Sequence, residues 1–190
     1  MPSLSAVLLA GGQSRRMGRD KALLPLPGGE ALWQRQLGVL EALRPKTIFW
    51  SGAPRPGLPA EIVPVTDAVP SAGPLAGVSA CLDALTTDLL VVLAIDLPRM
   101  DAAYLKSLAK RCSPVRGVVP QRGEFFEPLA AVYPRVVADL AADRLRQGRY
   151  AMQDFVREAL RRELVDIVPV SAKDEGKFAN VNTPEDFQNL

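Results

Sequence analysis

Short apolar runs alternate with longer stretches of helical periodicity along this chain. Strand-like runs fall at Ala6 to Leu9, Thr47 to Trp50, Ile62 to Val65, Leu89 to Ile95, Gly117 to Pro120, Leu129 to Tyr133 and Asp166 to Val170. Apolar positions three and four apart predict helices at Leu32 to Leu43, Pro74 to Leu85, Ala102 to Arg111, Pro134 to Arg146, Tyr150 to Arg161 and Pro184 to Asn189. Alternation of this kind predicts an α/β fold, with a largely parallel sheet joined by right-handed crossovers. The runs Ala6 to Leu9 and Leu89 to Ile95 have no polar alternation, so they read as strands buried on both faces.

Local signals support these boundaries. Gly73-Pro74 places a proline in a first helical turn, Asp101 precedes the next helix, and Thr183-Pro184-Glu185-Asp186 combines a cap, a proline and acidic residues. The Pro- and Gly-rich stretch from Gly52 to Pro59 reads as a loop between strands, too short for a domain linker. No internal repeat is visible.

A chain of 190 residues fits one domain over 1–190, and at that size roughly 70% of the unfolded surface can be buried. That suffices for a sheet covered by helices on both faces. Apolar residues make up 48% and charged residues 23%, with a formal net charge of +2, so the chain reads as globular and not as a nucleic-acid binder. No apolar run approaches the roughly 20 residues that span a bilayer, and the start Met1-Pro2-Ser3-Leu4 lacks the features of a signal peptide. A cytoplasmic protein without a membrane partner is expected. Cys81 and Cys112 stand far apart with no Cys-x-x-Cys spacing, which argues against a disulfide framework or a zinc site. Cys81 falls in the apolar stripe of a helix, where a free thiol behaves as a small hydrophobe.

The chain contains no histidine. A histidine general base, a Ser-His-Asp triad and the usual histidine metal sites are therefore excluded. Phosphoryl or nucleotidyl transfer remains open, because positioning and charge neutralisation dominate its catalysis.

Candidate chemistry concentrates directly after the first strand. Residues 9 to 21 read Leu-Ala-Gly-Gly-Gln-Ser-Arg-Arg-Met-Gly-Arg-Asp-Lys, at the carboxyl end of a parallel strand, where ligands bind in open α/β sheets. Gly11 and Gly12 allow close approach of a phosphate, and Arg15, Arg16, Arg19 and Lys21 supply charge for polyphosphate oxygens. Gly18 is followed by Arg19-Asp20, so the loop is not a P-loop; the Gly-x-Gly-x-x-Gly pattern is also missing. A glycine-rich turn with solvated arginines is the alternative. The strongest apolar run ends in Asp96-Leu97-Pro98. A carboxylate there sits beside the first loop if the two strands are close in the sheet, and one Asp with phosphate oxygens satisfies Mg²⁺. The alternative role for Asp96, capping the next helix, suits Asp101 better.

The pattern Leu-Ala-Gly-Gly-x-Ser-x-Arg-Met-Gly, followed closely by Lys21, is similar to the opening signature of the molybdenum cofactor guanylyltransferases, the MobA-type enzymes. Further matches follow in order: Asp67, Gly-Pro-Leu-Ala-Gly at 73 to 77, Asp96-Leu97-Pro98, Glu127-Pro128-Leu129, and Asn180-Val181-Asn182-Thr183-Pro184-Glu185-Asp186. The resemblance covers nearly the whole chain. It implies a single Rossmann-like three-layer domain of the nucleotide-diphospho-sugar-transferase type, which transfers GMP from GTP to molybdopterin with Mg²⁺ and releases pyrophosphate. It also implies a division of residues. Leu9, Ala10, Gly11, Gly12, Lys21, Asp67, Gly73, Pro74, Leu75, Gly77 and Asp96 would bind nucleotide; Asp96 would hold the metal. Arg16 and Lys21 would stabilise the departing pyrophosphate, and Glu127, Asn180 and Asn182 would receive molybdopterin. Transient contacts with other molybdenum cofactor synthesis proteins are a family expectation.

Two departures stand out. The family often carries an Asn after the second strand, where this chain has Ser51-Gly52-Ala53, and Ile95 replaces a frequent small or Cys residue. Rival readings are a cytidylyltransferase acting on the same pterin, a sugar-1-phosphate nucleotidyltransferase, and a non-catalytic nucleotide or cofactor carrier. Gly11-Gly12 and Gly-Pro-Leu-Ala-Gly favour guanine over cytosine. The short chain argues against the sugar nucleotide enzymes, and intact Lys21, Asp96 and Asn182 argue against the carrier.

Overall fold

Each of the seven apolar runs becomes a strand. In the computed structural model, which describes residues 2–11, 26, 29–67, 69 and 71–181, the strands are β1 (Leu4–Leu9), β2 (Ile48–Ser51), β3 (Val63–Val65), β4 (Leu89–Ala94), β5 (Gly117–Arg122), β7 (Ala130–Pro134) and β8 (Val165–Pro169), with a two-residue strand β6 (Phe125–Phe126) that the sequence pattern did not signal. The helices are α1 (Leu32–Glu41), α2 (Pro74–Asp83), α3 (Ala102–Ala109), α4 (Ala138–Arg146) and α5 (Met152–Arg161). The expected helix Pro184 to Asn189 lies outside the described residues.

The strands form one sheet in the order β3-β2-β1-β4-β7-β5, and β6 and β8 both pair with β5. β1 to β4 are mutually parallel, and β8 is parallel to β5. β7 runs antiparallel to both β4 and β5. The expected α/β architecture with a mostly parallel sheet is borne out, with one reversed strand inside it.

Side-chain alternation divides the core into two layers. Ala6 and Leu8 of β1, with Leu89, Val91 and Leu93 of β4, pack with α1 and α3; Val7, Leu9, Leu90 and Val92 pack with α2, α4 and α5. All six residues of β4 are buried, as a strand with helices on both faces requires. Because α1 follows β1 on one face and α2 precedes β4 on the other, the sheet switches winding direction between β1 and β4. Crevices at such switch points are where open α/β sheets bind ligands.

The expected helix from Pro134 starts later. Pro134 has extended backbone (φ −77°, ψ 152°) and closes β7 opposite Leu89. The Arg135 amide then bonds Asp88 O at 2.8 Å, and a short 3-10 turn Arg135–Val137 leads into α4. Among the described residues, no helix is long and apolar enough to cross a membrane.

Candidate active site

The register of β1 against β4 sets the centre of the site. Leu9 lies opposite Ala94, and the Ile95 amide bonds Leu9 O at 3.1 Å, so Ala10-Gly11 and Asp96 leave the sheet side by side. The adjacency that the metal reading required is therefore present. Ile95 and Leu97 are 7% and 3% exposed, whereas Asp96 between them is half-buried. The alternation turns both neighbours into the core and leaves the carboxylate at the edge.

On the β2 flank, Ser51 at the end of that strand is the organising residue. Its carbonyl accepts the amides of Ala10 (2.8 Å) and Gly11 (2.9 Å). The Gly11 amide is thus committed to the sheet, and Gly11 presents an exposed surface without a side chain. The Ser51 hydroxyl, 4% exposed, donates to Asp67 Oδ1 at 3.4 Å. Asp67 itself is exposed beyond β3. Ser51 opens the Ser51-Gly52-Ala53 stretch that departs from the family pattern, and its hydroxyl holds Asp67.

Two glycines make that arrangement possible. A Cβ at Gly77 would collide with Ser51 Oγ and lie 3.1 Å from Leu9 Cδ2, so the first turn of α2 rests directly on β1 and β2. A Cβ at Gly52 would lie 2.9 Å from the carbonyl carbon of Ala10 and 3.0 Å from the Gly11 nitrogen. Backbone, unlike a flexible side chain, cannot yield there. Gly52 was not foreseen as a site residue, although a glycine directly after a strand at the carboxyl edge is a visible signal of close approach. Gly73 caps α2 at φ 70°, with no side-chain cap and Pro74 at the first turn, and both are exposed at the rim. Leu9 and Leu75, 6% and 0% exposed, give their side chains to the core. They can contribute to a ligand site only through the backbone.

On the opposite flank, residues Glu127-Pro128-Leu129 form a bulge. Gln121 pairs with Phe126 but Val118 with Val132, so three residues of the returning chain are extra at this point. Pro120 sits opposite the bulge, where its missing N–H leaves no ladder bond unmade; its carbonyl accepts the Glu127 amide at 2.8 Å. Ala94 N–H donates to Leu129 O at 2.8 Å, which brings the bulge beside the Asp96 turn. From beneath, the buried Tyr133 hydroxyl donates to Pro128 O at 2.9 Å.

Glu127 is held by Arg122, with Nε at 2.8 Å and Nη2 at 2.7 Å from Oε1. Burial pushes its carboxyl above the usual range, and Arg122 only partly opposes that. Arg122 also lies 6.0 Å from the centre of the Phe178 ring. Phe178 ends the 3-10 turn Glu175–Phe178 and meets Tyr104 edge-on at 5.4 Å. Lys177 pairs with Asp101, whose other carboxylate oxygen caps α3 through the Tyr104 amide at 2.8 Å. Burial raises the Asp101 carboxyl, but Lys177 and the cap amides together hold it below the usual range. These contacts strap the chain after β8 across the sheet edge, and the Val181 amide bonds Asp96 O at 3.0 Å. Exposed Asn180 is delivered next to Asp96. The strap was not foreseen, because its polar sequence carries no periodicity.

Asp96, Asp67, Glu127 and Asn180, together with Gly11 and the start of α2, thus all lie along the carboxyl edge of the sheet. Gly12, Arg15, Arg16, Arg19, Lys21 and Asn182 lie outside the described residues. Among the described residues, no group of three or more Cys, Asp or Glu is placed to hold a metal ion.

Comparison with known proteins places this geometry. A family model described as a MobA-like NTP transferase domain matches residues 6–166. A relative from Opitutus terrae, named probable molybdenum cofactor guanylyltransferase, is 40% identical over 97% of this chain and 93% of its own length. The molybdenum cofactor guanylyltransferase of Syntrophotalea carbinolica is 31% identical over 97% of this chain and 89% of its own. A crystal structure of molybdopterin-guanine dinucleotide biosynthesis protein A from Archaeoglobus fulgidus superposes with a TM-score of 0.77 at 25% identity, covering 98% of this chain and 95% of that one. The resemblance read from the motifs is borne out: the chain belongs to the MobA-like NTP transferase family.

Proposed function

We propose that this chain transfers GMP from GTP to molybdopterin, forming the guanine dinucleotide cofactor and pyrophosphate. The observation that carries the reading is the juxtaposition at the β1/β4 switch point. The start of the glycine-rich loop at Ala10-Gly11 and Asp96 lie side by side there, with Ser51-Asp67 on one flank and the Glu127 bulge with Asn180 on the other. Relatives named guanylyltransferases support the choice of nucleotide.

In this reaction an oxygen of the molybdopterin phosphate attacks the α-phosphorus of GTP. The new P–O bond forms as the bond to the β-phosphate bridging oxygen breaks, and pyrophosphate leaves in line. A phosphate monoester has a second pKa of about 6, so the nucleophile is largely dianionic near neutral pH and needs no general base. A chain without histidine suits such chemistry.

The donor set fits Mg²⁺. Asp96 is a half-buried carboxylate beside the loop that would carry the phosphates, and Mg²⁺ accepts one or two carboxylates with phosphate oxygens and water completing its shell. When bound, the ion supplies charge neutralisation between two anionic reactants. The protein's own residues do the positioning. Ser51 orients Asp67 towards the nucleoside, with the Gly73 to Gly77 turn beside it. Arg16 and Lys21 are assigned to the leaving pyrophosphate. Glu127, kept in place by Arg122, and Asn180 with Asn182 are assigned to the pterin half, where an Asn side chain both donates and accepts. We assign the reaction to the cytoplasm, and transient contacts with other molybdenum cofactor synthesis proteins belong to the same proposal.

The test is to incubate the purified protein with Mg²⁺, molybdenum-loaded molybdopterin and either GTP or CTP, then to assay pyrophosphate and dinucleotide. GTP-selective product is expected. CTP-selective product would overturn the base assignment, and GTP binding without product would favour a carrier. Asp96→Ala should abolish turnover; a near wild-type rate at saturating Mg²⁺ would remove Asp96 from the mechanism.

A further inference from the structure

The apolar stripe of α1 is interrupted by one amide. Its buried positions are Leu32, Trp33, Gln36, Leu37, Val39 and Leu40, and Gln36 is 0% exposed. A side-chain amide withdrawn from water needs partners for two donors and an acceptor. Gln36 finds them for its nitrogen only. Nε2 donates to Leu97 O at 2.7 Å and to Ala94 O at 3.4 Å, whereas Oε1 has no partner among the described residues. Both neighbours are carbonyl oxygens, so the nitrogen must face them.

Those two carbonyls bracket Asp96. The last bond to β1 in this segment is Ile95 N to Leu9 O, and the next local bond, Met100 N to Leu97 O at 3.0 Å, closes the following turn. Between them the chain carries the carboxylate out of the sheet, and Gln36 is the side chain that reaches in from α1 to hold both ends of the excursion. An apolar residue would fill the same space without the orphaned Oε1, but it would take a donor from the Ala94 and Leu97 carbonyls. The polar choice is explained by what its donor end holds. α1 is also the first helix to follow the glycine- and arginine-rich loop along the chain.

We propose that Gln36 is a positioning residue for Asp96: it fixes the backbone of residues 94 to 97 so that the carboxylate meets a divalent cation bound with the nucleotide triphosphate. The proposal rests on Asp96 being the metal ligand. Residues that orient a metal ligand through a hydrogen bond typically carry about ten- to a hundredfold of metal affinity or activity.

The test is made without acceptor, so that no turnover contributes. GTP affinity is measured by calorimetry with and without saturating Mg²⁺ for the wild type, Gln36→Met, Gln36→Leu and Asp96→Asn, and thermal unfolding is recorded for each. Methionine matches the length of glutamine and removes both the donor and the orphaned acceptor. In the wild type Mg²⁺ should tighten GTP. Gln36→Met should lose about tenfold of that gain while keeping its Mg²⁺-free GTP affinity and a cooperative unfolding transition, with Tm lowered by roughly 2–8 °C for the donor lost to the two carbonyls, and Asp96→Asn should lose the gain. If Asp96→Asn loses it and both Gln36 variants keep it, the positioning role is overturned and the metal reading stands. If Asp96→Asn keeps it too, the metal reading itself falls. Failure of both Gln36 variants to fold would also overturn the proposal, since the amide would then be a tether for the sheet.

Discussion

Gly77→Ala tests whether contact between α2 and the ends of β1 and β2 sets the nucleoside side of the site. An added methyl would overlap Ser51 Oγ and sit 3.1 Å from Leu9 Cδ2 and 3.2 Å from Ser51 Cβ. Gly38, exposed in the middle of α1, is the built-in control, since nothing lies within 4 Å of a Cβ there. Both replacements gain up to about 1 kcal/mol of helix propensity. Only Gly77→Ala also overpacks the core, which typically costs about 1–3 kcal/mol. Gly38→Ala should therefore stabilise the protein by up to about 1 kcal/mol and raise Tm by roughly 2–4 °C for a chain of this size. Gly77→Ala should fall below it by about 1–3 kcal/mol, and it should also weaken GTP binding, because Ser51 must move and carries Asp67 with it.

The clash is chiefly with one atom, so it can be relieved. In Ser51→Ala/Gly77→Ala the hydroxyl is gone and the methyls meet at ordinary contact after a small shift. The two substitutions should be non-additive by roughly 0.5–3 kcal/mol in the direction of rescue, the range seen for residues in contact. Urea unfolding of the four-member cycle measures it. Additive effects, or a Gly77→Ala protein as stable as Gly38→Ala, would refute the claim that this contact is limiting.

Three other expectations follow from individual contacts. Tyr133→Phe leaves the Pro128 carbonyl without its partner under the 127–129 bulge, and should cost about 1–2 kcal/mol in denaturant unfolding; no loss would mean the bulge is held elsewhere. The Ser3 hydroxyl and amide hold the Asp88 carboxyl below the usual range. A depressed carboxylate stabilises the fold above its unfolded pKa of about 4 and loses that contribution as pH falls through the folded value, so Asp88→Asn should flatten the acid limb of a stability-versus-pH curve. Burial, aided by the charge of Asp67, pushes the Cys81 thiol up, and burial with Asp166 pushes Cys112 up to about 12. Neither should react promptly with a disulfide reagent at pH 8 until the protein is unfolded, and rapid modification of native Cys81 would contradict its place in the core.

The sequence was most legible where burial repeats a simple period. The seven strand runs and five described helices appear within a few residues of their expected places, because each is an apolar face long enough to show its spacing. β6 escaped because two phenylalanines have no period, and the strand exists through the β5 hairpin and two bonds with Gln153, whose Oε1 accepts the Phe126 amide at 3.1 Å and whose Nε2 donates to the Phe126 carbonyl at 2.9 Å. Pro134 misled because proline suits a first helical turn as well as a strand end. At the site, residue types pointed to Asp67, Asp96 and Gly77, but not to what joins them. Ser51 was visible as a departure, yet its link to Asp67 needs β2 and β3 paired. Gln36 is spaced like a core residue, and its bonds to Ala94 and Leu97 depend on how α1 lies across β4.

The reversed strand explains why the two halves of the site were unequally readable. In a parallel sheet each strand sends its exit loop to the carboxyl edge, so a motif directly after an apolar run is found by reading forward, as with Gly11 after β1 and Asp96 after β4. β7 runs the other way and begins at that edge, with Leu93 opposite Ala130. Its contribution, Glu127 to Leu129, therefore precedes the strand. Among the described residues, the other one assigned to the acceptor, Asn180, follows β8 by a strap whose anchor is Phe178 buried against Tyr104. The half proposed for nucleotide is built from exits of neighbouring strands, and the half proposed for the acceptor from a strand start and a distant tail that meet at Asp96. The bulge and the strap are thus held by contacts separate from the β1/β4 register. It follows that substitutions at Arg122 or Lys177, which hold the bulge and the strap, should act on acceptor recognition before they act on GTP.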